Sequence, residues 1–299
     1  MAEAVVTEPY PTVAPAQLAA RYGLRAAGER PGVREYIRSL WAYRHFIVAF
    51  ANARNVATLT TARLGQLWHV LTPLTNAAVY YLIFGVILGT SDRIENFVAY
   101  LCCGIFIFGY TSAVASAGTV SITANLNMIR ALQFPRASLP LSVTITQLQQ
   151  LLASMAVLIA IVLVTGEPPR LAWLTLIPLL LLQTVFSGGL AMLLARLGSK
   201  IVDLKQIMPF VLRTWLYGSG VFYSLTTATD NMPTWASTLL HLNPMLVFIE
   251  LAREALITTT PPSHFSVESM WLVALGWAVV MGALGFFYFW RGEKEYGRG

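Results

Sequence analysis

Apolar residues fill six long runs of this chain, roughly Val70–Leu88, Phe97–Gly118, Leu139–Thr165, Leu171–Ala195, Gln206–Leu225 and Met270–Trp290, and polar residues collect between them. Each run is about 19 to 27 residues, the length a helix needs to cross ~30 Å of hydrocarbon with its own backbone groups satisfied. Only the fifth run contains a charge, Arg213. The pattern predicts an all-α polytopic membrane protein with six transmembrane helices. A mean hydropathy of +0.62 with 11% charged residues argues against a soluble fold, which would need an implausibly large core to hide these segments.

The stretches outside the runs read differently. Residues 1–32 hold Pro9, Pro11, Pro15 and Pro31 among alanines, with no signal-peptide pattern, and are expected to form a disordered cytoplasmic tail. Over residues 33–60, Val33, Ile37, Leu40, Trp41 and Val48 recur at helical spacing, while Arg34, Arg38 and His45 take other faces. Such a helix is too polar to span and suits the inner membrane surface. The rest, 61–299, forms the six-span domain. Within it Asn231–Ile249 is uncharged but interrupted by Pro233 and Pro244, then followed by Glu250, Arg253 and Glu254. A seventh span would carry the C-terminus to the wrong side for its charges, so a re-entrant helical pair at about 231–257 is expected between spans five and six.

Charge sets the orientation. Lys and Arg number 8 before the first run, 2 in 119–138, 3 in 196–205 and 3 after Trp290, or 16 of 20; the opposite connections hold Arg93, Arg170 and Arg253. Both termini are thereby expected in the cytoplasm of a cell-membrane protein. The net charge of +6 suits anionic membrane lipids. No basic run is interleaved with exposed aromatics, so no nucleic-acid partner is expected.

Enzyme chemistry is thinly represented. His45, His69, His241 and His264 lack metal-ligand spacing, Cys102 and Cys103 are adjacent apolar packers, and the acids show no paired motif. No Gly-Lys dipeptide occurs, so a P-loop is absent and ATP-driven work requires a separate polypeptide. Arg213 cannot shuttle protons, because its pKa lies above ~12; it reads either as a snorkelling side chain or as a contact for an anionic substrate. Tyr80, Tyr81 and Phe84 in the first run and Trp215, Tyr217, Phe222 and Tyr223 in the fifth have faces that cover the C–H faces of sugars. They suit a membrane-interface belt equally well.

Three stretches resemble one family. Arg63-Leu64-Gly65-Gln66-Leu67-Trp68-His69-Val70-Leu71-Thr72-Pro73 is similar to the start of span one in type-2 ABC exporter permeases for polysaccharides, with the Arg one residue closer to Leu-Gly than usual. Asn127 to Pro140, with Phe134-Pro135-Arg136 and Leu139-Pro140, looks like the family's cytoplasmic connection. Asp203-Leu204, Pro209, Ser219, Tyr223, Asn243-Pro244 and Arg253 resemble its C-terminal half, although Val202 and Gly220 stand where many members have Arg and Pro. The likeness covers about residues 33–296 and is nearest to actinobacterial, mycobacterial-type members that export lipid-linked galactan.

The resemblance implies the permease of an O-antigen, teichoic-acid or galactan exporter, not itself an enzyme. It implies a homodimer with two copies of a P-loop ATPase, which would hold ATP and Mg; no cofactor is expected in this chain. It also implies a substrate path lined by the seven aromatics above, lipid-diphosphate uptake at Arg44, Arg54, Arg63 and Arg213, and ATPase coupling at Asn127, Met128, Ile129 and Arg130. For Arg130, a positive-inside charge is the alternative reading. An exporter of a small lipid or drug, and a membrane-embedded glycosyl- or acyltransferase, stand as the alternatives.

Overall fold

The longest apolar runs become the longest helices. A computed structural model describes residues 31–60, 67–92, 94–223, 240, 242–259 and 266–296, and its regular structure there is helical throughout. In chain order the helices are α1 (Val33–Ala42), α2 (Arg44–Thr60), α3 (Leu67–Tyr80, continued as a π-helix over Tyr81–Ile87), α4 (Phe97–Thr119) and α5 (Leu126–Ala131). They continue with α6 (Ser138–Val164), α7 (Leu176–Lys200), α8 (Leu204–Tyr217), α9 (Pro244–Leu256) and α10 (Val267–Arg291).

Among the described residues four helices are long and apolar enough to cross a membrane: α4, α6, α7 with its 3-10 lead-in from Leu171, and α10. These are the second, third, fourth and sixth runs. The first run gives a shorter apolar helix, Leu71–Ile87, with Pro73 inside it. The fifth gives only the 14 residues of α8, with Pro209 inside. At ~1.5 Å per residue that is about 21 Å, short of the ~30 Å core. After Tyr217 the chain turns, with Gly220 at φ +67°, a left-handed conformation that glycine adopts without a Cβ clash.

α4 is the centre of the bundle. It is buried along most of its length and packs against α6, α7, α9, α3 and α8. The most extensive helix pair is α7 with α10, and two glycines set its closeness. A methyl group on Gly285 would overlap the Gly189 carbonyl, and one on Gly189 would overlap the Met281 carbonyl. Alanine is worth about 1 kcal/mol over glycine in helix preference. The obstruction here is backbone, which cannot rotate aside, and overpacking costs ~1–3 kcal/mol. Gly189→Ala and Gly285→Ala should therefore each lower the melting temperature of the purified protein; unchanged melting in both would show that the pair has room to spare.

The stretch expected to be one helix over 33–60 is two, broken at Tyr43. α2 then lies along α6, joined by an amide network: Asn55 Nδ2 donates to Gln149 Oε1 (2.5 Å), Gln149 Nε2 to Asn52 Oδ1 (2.8 Å) and Gln150 Nε2 to Asn55 Oδ1 (2.9 Å). α9 is capped by Asn243, whose side chain accepts from Met245 N (3.1 Å), and starts with Pro at its first position. Its 13 residues are buried almost throughout, and at about 20 Å it is too short to span. Residues 231–239 and 241, where the other half of the expected pair falls, lie outside the described residues.

Candidate functional site: a polar groove beside the central helix

Four small residues interrupt the burial of α4. Gly109 and Ser116 are exposed, and Ser112 and Ala113 half-buried. At spacings of three, four and seven they share one helical face. That strip opens onto two cavities. One, of about 390 Å³, lies between α3, α4 and α6 and is lined by Trp68, Thr72, Asn76, Gln147, Gln150 and Ser154, among others. The other, of about 310 Å³, lies between α3, α4 and α8 and is lined by Asn76, Tyr80, Phe108, Leu212 and Arg213, among others. Asn76, Ile105, Gly109, Ser112 and Ser116 border both, so the two are lobes of one groove.

The lining defines what the groove can do. Hydroxyls and amides offer neutral donors and acceptors, Trp68 and Tyr80 offer ring faces, and Arg213 adds a cation; among the described residues no carboxylate borders either lobe. Among the described residues no three His, Cys, Asp or Glu gather as a metal site. Dispersed neutral groups of this kind can hydrogen-bond a hydroxyl-rich molecule at many successive positions without fixing it at one.

Of the seven aromatics expected on a path, Tyr80 borders the groove. It belongs to a cluster with Phe84, Tyr217 and Phe222: Phe84 stacks on Phe222 at 4.4 Å, Tyr80 lies 4.7 Å from Phe222 and Tyr217 5.5 Å from it. Phe222 is 2% exposed and is the hub of that cluster, not a lining side chain. Trp215 is half-buried, donating Nε1 to Asn243 Oδ1 (3.0 Å) and meeting Phe108 edge-on. Tyr81 sits beside Phe97, and the Tyr223 carbonyl accepts from the Tyr100 hydroxyl.

The arginines expected to act together are spread out. Arg213 lines the groove, whereas Arg44 borders a different, apolar cavity. Arg54 lies over the Phe50 ring at 5.9 Å, and Arg63 lies outside the described residues.

A buried arginine, counted above as a charge of the outer connections, holds the end of α8. Arg253 is 0% exposed. Its Nη1 donates to Gly220 O (2.9 Å) and Glu250 Oε1 (2.8 Å), its Nη2 to Val221 O (2.9 Å) and its Nε to Tyr100 O (3.3 Å). The guanidinium lies 3.3 Å from the Tyr100 ring centroid, and a Cβ at Gly104 would come within 2.9 Å of Nη2. Asn243 Nδ2 donates to another carbonyl of the turn, Gly218 O (2.8 Å). Backbone that leaves a helix at membrane depth needs such partners.

At one end of the bundle, the connection bearing α5 is tied to both ends of the described chain. The Tyr36 hydroxyl donates to Glu293 Oε2 (2.7 Å) and accepts from Ala137 N (3.1 Å), while Arg136 N donates to Glu293 Oε1 (3.0 Å). Burial pushes the Glu293 carboxyl above its ordinary range. On α5, Asn127 and Arg130 are exposed and Met128 half-buried. Ile129 is only 6% exposed and packs in a cluster with Tyr36, Ile122, Ala137 and Phe289. It therefore anchors the connection inward instead of presenting an apolar knob. The exposed apolar side chain next to α5 is Leu132, at 54%.

Another knot lies at the opposite ends of α4 and α6. Glu167 accepts from Thr258 N (2.7 Å), Thr258 Oγ1 (2.5 Å), Asn96 Nδ2 (3.0 Å) and Thr259 Oγ1 (3.1 Å). Burial alone would push its carboxyl up, but these bonds outweigh that and hold it below the usual carboxylate range.

The chain has identifiable relatives. It is 26% identical over 215 residues, covering 72% of this chain and 81% of the relative, to the O-antigen export system permease protein RfbA of Klebsiella pneumoniae. It is 27% identical over 210 residues to the protein of the same name in Myxococcus xanthus, covering 70% and 79%. It is 24% identical over 200 residues to the polysialic acid transport protein KpsM of Escherichia coli, covering 65% and 74%. The family described as ABC-2 type transporter matches residues 47–257. That match takes in α4 to α9 with every residue bordering the groove, and with its several apolar helices this chain is a multi-pass membrane protein belonging to the ABC-2 type transporter family.

Proposed function

We propose that this chain is the permease of an exporter that carries a lipid-linked cell-wall polysaccharide, a polyprenyl-diphosphate galactan, from the cytoplasm to the periplasm. The groove along Gly109, Ser112 and Ser116 carries the reading: neutral hydrogen-bonding groups with aromatic faces suit a sliding sugar polymer, whereas a compact apolar drug would call for a drier pocket. The relatives named for O-antigen export and polysialic acid transport support the same cargo class. In this reading α3 and α8 complete six spans, both termini are cytoplasmic and α9 is half of a re-entrant pair. Two copies face each other across their grooves, with Arg213 receiving the diphosphate. Two separate ATPase subunits dock where Asn127, Arg130, Met128 and Leu132 are presented, and ATP and Mg belong to them.

Proteoliposomes holding the chain with its cognate ATPase provide the test. Polyprenyl-diphosphate galactan should become accessible to an impermeant galactan-cleaving enzyme only when ATP is supplied, and the isolated chain should hydrolyse none. Accessibility independent of ATP, or ATP hydrolysis by the contaminant-free chain, would remove the proposal.

A further inference from the structure

A second cavity shares no lining residue with the polar groove. It has a volume of about 560 Å³ and lies between α1 and α2 on one side and α6, α7 and α10 on the other. Its floor is nearly free of side chains where Gly188, Gly189 and Gly282 bring α7 and α10 together. Ile47, Leu141, Ile145, Met192 and Phe286 supply apolar walls. The two threonines present add no free hydroxyl: Thr144 Oγ1 donates to Pro140 O (3.0 Å) and Thr184 Oγ1 to Leu180 O (2.6 Å), so each bonds back to its own helix.

Among the described residues one charged side chain borders this apolar trough. Arg44 is exposed; its Nη1 donates to Trp41 O (3.0 Å) and its guanidinium lies 5.2 Å from the Trp41 ring centroid. Among the described residues it forms no ion pair, and as an exposed side chain it has further N–H groups to offer. Trp41 is 70% exposed, as suits a ring at a membrane interface. The neighbouring α1 carries Arg34 and Arg38 against Glu35, one net positive charge on that helix.

We propose that this trough is a binding site for one anionic glycerophospholipid, with an acyl chain lying over the glycines and the phosphate at Arg44. A volume of 560 Å³ falls within the ~300–1,000 Å³ of ligand cavities, and an apolar trough with a cation at its rim complements an acidic headgroup on a hydrocarbon tail. Because the trough shares no lining residue with the polar groove, the site is assigned to a bilayer lipid and not to the carrier of the cargo. A lipid held there would brace α1 and α2 against α7 and α10. The site follows from the membrane setting alone; the leaflet in which it lies follows from the orientation proposed above.

Photocrosslinking of the full chain in vesicles tests this. A phosphatidylglycerol with a diazirine in its acyl chain, present as a minor component of phosphatidylcholine in both leaflets, should label peptides spanning Leu141–Ile145 and Thr184–Met192. Labelling should exceed that by the matching phosphatidylcholine probe about fivefold. Labels on Leu272, an outward apolar residue at 69% exposure, give the unspecific reference for both probes.

Arg44→Glu should erase the preference and keep the reference. Gly188→Leu should erase the trough labels altogether, because a Cβ there meets only Thr144, at 3.7 Å, and the longer side chain fills the floor. Val185→Trp, from a position 52% exposed on the rim, does the same should the first variant fail to fold. Equal labelling by the two probes, trough labels that survive filling, or an unlabelled trough covered by another segment of the chain would each overturn the proposal. Because the probe is in both leaflets, none of these outcomes depends on the orientation.

Discussion

Arg253→Met is expected to leave almost no folded protein. The wild-type side chain donates to three backbone carbonyls, Tyr100, Gly220 and Val221, and to Glu250. The two from the turn after α8 lie outside any regular helix, and Arg253, at 0% exposure, holds them away from solvent. Methionine fills the volume but donates nothing, so these carbonyls lose their donor and the 8%-exposed Glu250 becomes an unpaired buried acid. Breaking a buried pair by removing one partner costs ~3–5 kcal/mol, a large share of the ~5–15 kcal/mol that holds an ordinary domain together. The monodisperse fraction in size-exclusion chromatography should collapse.

Two companion variants separate causes. Arg253→Lys keeps the charge but replaces a five-donor fork with a point ammonium, so it should fall between wild type and methionine. Arg253→Met with Glu250→Leu removes the orphaned acid and should recover part of the loss. Wild-type yield and melting temperature for Arg253→Met alone would mean that the turn is held by something else.

Hydropathy located four spans because length and apolarity decide such helices, while among the described residues the first and fifth runs form shorter helices, a difference that a count of apolar side chains does not register. Pro73 and Pro209 lie inside those two helices, and the fifth bends away at Gly218–Tyr223, where Gly220 is left-handed. Arg253 looked like an ordinary outer-connection charge; its carbonyl partners lie 32 to 153 residues away in sequence, beyond the reach of local patterning. The break at Tyr43 was hidden for the opposite reason, since the apolar spacing on either side is uniformly helical.

The candidate site shows the same division. Aromatic residues drew the eye along the first and fifth runs, yet most of them pack against one another or against the turn after α8. The groove is instead made by what α4 lacks, small side chains at 109, 112, 113 and 116, opposite polar groups contributed by α3 and α6. Asn76, like Gln147 and Gln150, is an amide inside an apolar run. The part that Gln147 and Gln150 play in the groove depends on α3 lying beside α6.

Filling the groove at Gly109 should stop transport without unfolding the protein. An added Cβ there meets nothing within 4 Å, so Gly109→Ala should fold and export as wild type, with helix preference slightly in its favour. Gly109→Trp projects the largest aromatic side chain into the junction of the two lobes and should cut polymer export per assembled complex about tenfold or more, given the bulk of the ring. Assembly can be separated from blockage in one preparation. Gly109→Cys places a thiol at the exposed strip, whereas the native Cys102 and Cys103 are buried, so a bulky water-soluble maleimide added after the complex has formed should modify the new thiol selectively. Export should be normal before modification and fall after it, at constant complex. Normal export by fully modified Gly109→Cys would show that the polymer travels elsewhere, because Gly109 borders both lobes of the groove and a bulky adduct there would obstruct a path along α4.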